Sequence, residues 1–318
     1  MKITIVGAGN IGKLFGALLA ETGQDVTLVD IQKDLVKAIE NDGITIETSE
    51  GAVKTARPKI TSDIKTIGPS DLVIIAVKGY ATRSAMQNAM AVVGQGSYVM
   101  SVQNGAGNVE IISEILRDET RVIGGIFLCV ITTLKLNHIL WVTGTGGLKF
   151  GPVKGRINPM IQSVANLFTQ IGINTTLSDN VQDLIWSKLL LNSPLSLATV
   201  LGISNDEFLK YPSTRQMVRL IAEEAIAVAR AIGIDLPNAQ DPIDPLLKTL
   251  EGFKKSGKKP KCSMLQDMEA GRRTEIDTIT GSIVREGRKQ GVQTPVNEAL
   301  MLLVKAMEEK SLGIEEKH

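Results

Sequence analysis

The sequence predicts an α/β protein in two parts: a doubly wound sheet with its crossover helices over residues 1–179, then an all-α part over 180–318. Three observations predict this. Short apolar runs alternate with helical periods through the first half, a glycine-rich turn joins the first run to the first period, and strand-like alternation gives out near residue 180. At 318 residues the chain is also long for one core, and domains of roughly 100–200 residues favour two with a cleft between them.

The elements follow in order. Ile3 to Val6 is a short apolar run ending at Gly7, and Ile11, Leu14, Phe15, Leu18 and Leu19 then recur at helical spacing. Val26 to Val29 is a second strand closed by Asp30, eighteen residues past Gly12. Strand, helix and strand make one right-handed crossover unit of the Rossmann type. Ile44 to Ala56 alternates around Glu50 and Gly51 as an antiparallel hairpin. Leu72 to Val77 and Val99 to Val102 read as buried strands, with Lys78 and the pair Gln103 and Asn104 just past their carboxyl ends, where open α/β sheets bind ligands. Val122 to Leu134 and Ile139 to Phe150 complete the sheet. The first of these is too short to cross a bilayer and rich in β-branched residues, hence a strand. Beyond residue 180 the run around Leu184, Trp186 and Lys188 opens a helical region.

Composition narrows the function. A net charge of +1 lacks the basic excess of a nucleic-acid binder, and 43% apolar with 22% charged residues describes a soluble globular enzyme. The local exception, Lys254, Lys255, Lys258, Lys259 and Lys261, reads as a solvated loop broken by Gly257 and Pro260, with a phosphate-bearing ligand or acidic partner as the alternative. Two cysteines, Cys129 and Cys262, have no metal-ligand spacing and no secreted framework, which points to the cytoplasm. Lys2 and the apolar stretch to Ala20 imitate a signal peptide, but the patterned glycines assign it to the fold.

Gly7, Ala8, Gly9, Asn10, Ile11 and Gly12 match the dinucleotide turn: Gly7 makes the tight turn, Gly9 lets a pyrophosphate approach, and Gly12 permits close helix packing. The helix N-terminus behind them offers amide donors and a partial positive charge. NAD(P)H is therefore the expected cofactor. Asp30 sits where a carboxylate accepts from the adenosine ribose and repels a 2′-phosphate, favouring NADH over NADPH, although Asp30 could instead cap the helix from Gln32. A dehydrogenase also needs an acid, and the two histidines are poor candidates: His318 is the last residue and His138 reads as a loop histidine. Lys188 and Asn192 fall on one face of a leucine-rich helix, where Lys188 is either a desolvated acid or a lysine snorkelling at the core rim.

These residues, with Lys78, Gln103-Asn104-Gly105, Trp186 to Asn192, Ser263-Met264-Leu265-Gln266-Asp267 and Arg273-Thr274-Glu275-Ile276-Asp277, together resemble the ketopantoate reductase (2-dehydropantoate 2-reductase) family. The matches run in order from residue 3 to about residue 300. The resemblance implies reduction of ketopantoate to pantoate, a step of pantothenate and coenzyme A biosynthesis, with hydride passing to the 2-oxo carbon and Lys188 as proton donor. It implies that Lys78, Asn104 and Glu275 serve the cofactor, and that Asn104, Lys188, Asn192, Ser196, Ser263 and Glu275 serve the substrate. Taken alone, Ser263 reads as a helix cap and Glu275 as a capping or surface acid.

The chain departs from the family's pattern at several points. Ser196 stands where a second asparagine is usual, Pro194 precedes it, Asp30-Ile31 replaces a frequent arginine, and Gly125-Ile126-Phe127-Leu128 lacks the usual threonines. Asn205 aligns with a further substrate-side asparagine after a one-residue shift. An NAD-dependent D-2-hydroxyacid dehydrogenase acting on another bulky 2-oxo acid is the alternative within the family. A 3-hydroxy acid or glycerol-phosphate dehydrogenase, or a non-catalytic dinucleotide sensor, are the alternatives outside it. The expected partner is a small 2-oxo acid, with no metal, nucleic acid or membrane, and the sequence is compatible with a homodimer.

Overall fold

The structure is a computed structural model that describes residues 1–234, 236, 243–244, 246–248 and 261–314. The cluster Lys254, Lys255, Lys258 and Lys259 and the terminal His318 lie outside the described residues. By its contacts the chain divides into two units, Met1–Gln103 with Asn108–Leu184, and Asn104–Gly107 with the chain from Ile185 onward.

The first unit is built on one sheet. In chain order its strands are β1 (Lys2–Val6), β2 (Asp25–Val29), β3 (Ile44–Thr48), β4 (Val53–Ala56), β5 (Lys59–Thr61), β6 (Ser70–Ile75), β7 (Val93–Ser101), β8 (Val122–Lys135), β9 (His138–Pro152) and β10 (Thr175–Leu177). They lie in the order β4-β3-β9-β8-β7-β6-β1-β2-β5, with β10 pairing β9. From β5 to β8 every pairing is parallel. The chain runs from β1 to β2, crosses to the opposite edge for the hairpin β3–β4, returns to β5 beside β2, then restarts at β6 on the other side of β1. That reversal makes β1/β6 the topological switch point, where doubly wound sheets bind their ligands.

Helices α1 (Asn10–Ala20), α2 (Lys33–Asp42), α3 (Thr82–Ala89), α4 (Asn108–Leu116) and α5 (Pro159–Gln170) accompany the sheet. α1 lies close over β2 because Gly16 has no side chain; a Cβ there would meet the Leu28 side chain at 2.8 Å. Phe15 of α1 packs between Phe168 of α5 (centroids 4.7 Å apart) and Phe127 of β8 (5.2 Å), within the usual range for aromatic pairs.

The hairpin β3–β4 forms as its alternation predicts, with Ile44 opposite Ala56. Three boundaries differ from the sequence reading. β6 ends at Ile75; the Ala76 N–H still donates to Val6 O on β1 (2.8 Å), and Val77 and Lys78 lie beyond the strand. β7 begins at Val93, where Gly94 and Gly96 hide a strand that lacks the apolar signature. His138 is not a loop residue but the first residue of β9, with Nε2 3.6 Å from Glu47 Oε2.

The second unit is helical: α6 (Val181–Asn192, which begins in the first unit), α7 (Leu195–Leu201), α8 (Asn205–Phe208), α9 (Pro212–Ala231), α10 (Ser263–Glu269), α11 (Thr280–Gln290) and α12 (Pro295–Leu312). By length and composition alone Val181–Leu201 could pass for a membrane span, but 61% of that window is buried inside the protein, as in a core helix.

Candidate active site

The candidate dinucleotide site of the first unit is the turn from β1 to α1. Gly7 has φ +103°, and a Cβ there would lie 2.8 Å from the Val77 amide nitrogen. A Cβ at Gly12 would lie 1.9 Å from the Gly7 carbonyl oxygen. Both glycines are demanded by the protein's own packing. Gly9 differs: its φ is −65°, it is exposed, and the nearest atom to an added Cβ is Ala76 O at 3.9 Å. No described residue requires glycine there, so the open cradle above Gly9, at the N-terminus of an eleven-residue helix, fits the approach of a pyrophosphate.

Around this cradle, Ala8 is buried and Ile11 half-buried. Asn10 does not present its side chain freely: Nδ2 donates to Ile131 O (3.3 Å) and Oδ1 accepts from Thr133 Oγ1 (2.7 Å), both on β8. The Asp30 carboxylate accepts from the Ala8 N–H (2.7 Å) through one oxygen and from the Gln32 N–H (2.9 Å) through the other. It therefore braces the glycine turn as well as the entry to α2, whose N-cap position belongs to Gln32. Ile31 beside it is apolar and 87% exposed. Lys78, half-buried, follows the end of β6. That loop is held by Gln103, whose Nε2 donates to Val77 O (2.7 Å) and Thr82 Oγ1 (2.8 Å). Gln103 is thus a support for the loop at the switch point.

A separate group of candidate residues gathers on the helical unit. Gly105 has φ +81°, and a Cβ there would sit 2.0 Å from Thr278 O, so only glycine lets residues 104–107 lie against the 273–279 loop. The Ala106 N–H donates to Thr278 O at 2.9 Å, and Asn104 Nδ2 lies 3.3 Å from Glu275 Oε2. The structure therefore brings Asn104 and Glu275 together. Glu275 is only 6% exposed, which excludes the surface-acid reading.

Lys188 is 8% exposed, between Trp186 at 2% and Leu189 at 1%. This is not a lysine snorkelling from the rim; its side chain is buried. Asn192, one turn on, is half-buried. Ser196 differs from expectation: fully buried, its hydroxyl is shared with Thr280 Oγ1 at 2.9 Å, so it joins α7 to α11 instead of standing open to a substrate. Ser263 is exposed at the first position of α10, and the N-cap position is Cys262, not Ser263. Asp267 of the same motif is structural, its Oδ1 accepting from Arg272 Nε (3.0 Å) and Nη2 (2.9 Å). Asn205, 5% exposed, has its Oδ1 buried without a hydrogen-bond partner among the described residues. Such an orphaned acceptor in a helical unit otherwise well satisfied is what a ligand donor would complete.

The family described as "Ketopantoate reductase PanE/ApbA" matches residues 3–155, and its C-terminal family, "Ketopantoate reductase PanE/ApbA C terminal", matches residues 180–308. The chain belongs to the ketopantoate reductase family. It is therefore an oxidoreductase. The 2-dehydropantoate 2-reductase of Pyrococcus abyssi (strain GE5 / Orsay) is 34% identical over 313 residues, covering 97% of this chain and 98% of that protein. Two solved structures share the fold closely. A D-mandelate dehydrogenase with NADH and anilino(oxo)acetate has a TM-score of 0.90 at 26% identity, covering 98% of this chain and 99% of its own. A PanE/ApbA family ketopantoate reductase from Ralstonia eutropha JMP134 has a TM-score of 0.86 at 29% identity, with the same coverage.

Proposed function

We propose that this member of the ketopantoate reductase family is a 2-dehydropantoate 2-reductase that reduces ketopantoate to pantoate, with Lys188 as the proton donor. The observation that carries the reading is the burial of a lysine on α6, in the Trp186 to Asn192 run, in a family whose relatives are named for this reaction. When bound, the reduced nicotinamide supplies the hydride that adds to the 2-oxo carbon. Lys188 would bond the carbonyl oxygen, polarise it, and donate its Nζ proton as the alkoxide forms; the neutral amine then regains a proton from solvent. Asn104 and Glu275 would orient the substrate and the nicotinamide ribose, with Asn192, Ser263 and the orphaned Asn205 Oδ1 as further substrate contacts. Residues Gly7 to Gly12 would hold the pyrophosphate, Lys78 the nicotinamide side, and Asp30 the adenosine ribose. The Asp30 charge beside exposed Ile31 favours NADH over NADPH.

A second reading is an NAD-dependent dehydrogenase of another bulky D-2-hydroxy acid. It is favoured by the withdrawal of the Ser196 hydroxyl toward Thr280 and by likeness to the D-mandelate dehydrogenase bound to NADH. Rates with ketopantoate and phenylglyoxylate, each against NADH and NADPH, separate the two. Ketopantoate turning over no faster than phenylglyoxylate sinks the first reading. Lys188→Ala is expected to lower kcat by roughly 100- to 10,000-fold with NADH binding intact; unchanged turnover removes Lys188 from the mechanism.

A further inference from the structure

The last helix, α12, buries four side chains along one stripe: Asn297, Leu300, Val304 and Glu308. Such a stripe is ordinarily apolar from end to end. Here the middle is apolar and both ends are polar, although buried polar groups cost stability unless each is bonded.

Each end has a specific partner. Asn297, with no exposed surface, donates from Nδ2 to Glu224 Oε2 (2.7 Å) and to Ile221 O (3.0 Å) on α9. Its Oδ1 accepts from Ser193 Oγ at 3.2 Å. Glu224 completes the arrangement by accepting the Val296 and Asn297 N–H groups, both at 2.9 Å, at the start of α12. Ser193 directly follows Asn192, and its N–H donates to Leu189 O (2.9 Å), so this contact fixes the end of α6 that carries Lys188 and Asn192. At the other end of the stripe, Glu308 is 7% exposed and its Oε1 accepts the N–H of Thr274, the residue before Glu275. Thr274 Oγ1 in turn accepts from the Ile276 N–H at 3.2 Å.

We propose that Asn297 and Glu308 are positioning residues that set the end of α6 and the Glu275 loop at a fixed separation along α12. The inference rests on the reading of Lys188 and Glu275 given above. Eleven residues of α-helix make about three turns, so the two side chains share a face roughly 16 Å apart. Apolar residues at both places would pack on the same stripe but would leave the Thr274 N–H, Ile221 O and Ser193 Oγ without these partners, at some cost in stability. They would also lose the register of two loop ends against one rigid helix. Misplacement of reacting groups by about 1 Å can cost ~100-fold in rate.

The test compares Asn297→Leu, Ser193→Ala, Glu308→Leu, Glu308→Gln and Lys188→Ala by thermal melting, kcat, KM and the pH dependence of kcat. Asn297→Leu and Glu308→Leu are expected to lower kcat by ~100-fold, Asn297→Leu with KM for NADH unchanged and the alkaline limb of the pH profile, where a lysine acid loses its proton, displaced. Glu308→Gln keeps an acceptor for the Thr274 N–H and is expected to recover most of the rate. Ser193→Ala removes only the hydroxyl contact; it decides the matter at the α6 end should Asn297→Leu not fold, with a fall in kcat at unchanged Tm expected. Leucine and alanine variants with the unaltered protein's kcat and pH profile, while Lys188→Ala is inactive, overturn the positioning role alone. Full turnover in Lys188→Ala overturns the reading of Lys188 and this proposal with it.

Discussion

A methyl group added at Gly12 collides with the Gly7 carbonyl, whereas one added at Gly9 meets nothing closer than 3.9 Å among the described residues. Two residues of one turn thus make opposite predictions. Gly9→Ala is expected to melt within about 0.5 kcal/mol of the unaltered protein while raising KM for NADH at least tenfold, because its open space is not used by the protein. Gly12→Ala is expected to lower stability by ~3 kcal/mol or more, since backbone has to move to admit the methyl. Thermal melts with NADH titrations check both, and a destabilised Gly9→Ala would mean that the turn, not a ligand, selects glycine there.

At the level of elements, the N-terminal unit depends on the contact of α1 with α5, where Phe15 and Phe168 meet at 4.7 Å. Phe168→Ala is expected to cost about 3–5 kcal/mol in denaturant unfolding, as for other buried aromatics cut to alanine. In the helical unit, Asp277 ties the Glu275 loop to α12 through Lys305 (2.6 Å) and is also paired with Arg273 (3.1 Å). Partial burial raises the Asp277 pKa, but the Lys305 hydrogen bond and charge, then Arg273, outweigh it and hold it below its ordinary value of 3.8. A carboxyl lowered in the folded state adds stability that is fully present above its unfolded pKa and lost as pH falls through the folded one. Asp277→Asn is therefore expected to cost about 1 kcal/mol at neutral pH, the scale of half-exposed ion pairs. Melts between neutral pH and pH 2 should show this difference closing below 3.8, and a gap that persists there would assign the loss to packing.

For the molecule as a whole, the residues proposed to hold the cofactor, Asp30 and the glycine turn, fall on the first unit, and the proposed proton donor, Lys188, on the second. NADH at a hundred times its Kd should add about 2.7 kcal/mol to stability, a rise of several degrees in Tm. Lys188→Ala should keep that rise and Asp30→Ala should lose much of it. Much of this architecture is legible in the sequence because apolar periodicity reports burial directly: the β1 turn, the β3–β4 hairpin and the helical second half all follow from it. α5 was legible in principle from Asn158 before Pro159, a capping residue at a proline-led helix start. The sheet order was not, because pairing between distant strands leaves no local pattern. At the site, Lys188 could be named while its burial could not. The turn of Ser196 toward Thr280, and the work of Asn297 and Glu308, depend on contacts across 84, 104 and 34 residues of sequence.

Residues 104–107 pack with the helical unit although their neighbours on either side belong to the sheet. The backbone therefore changes unit three times, at 103/104, 107/108 and 184/185, so the gene has no single place at which it can be cut into two self-sufficient halves. A fragment starting at Ile185 would leave the Thr278 carbonyl without the Ala106 amide, and a fragment ending at Leu184 would carry four residues shaped for a surface it no longer has. Neither half could be exchanged with a relative's by one crossover; a workable chimera has to bring the 104–107 segment along with the helices it serves.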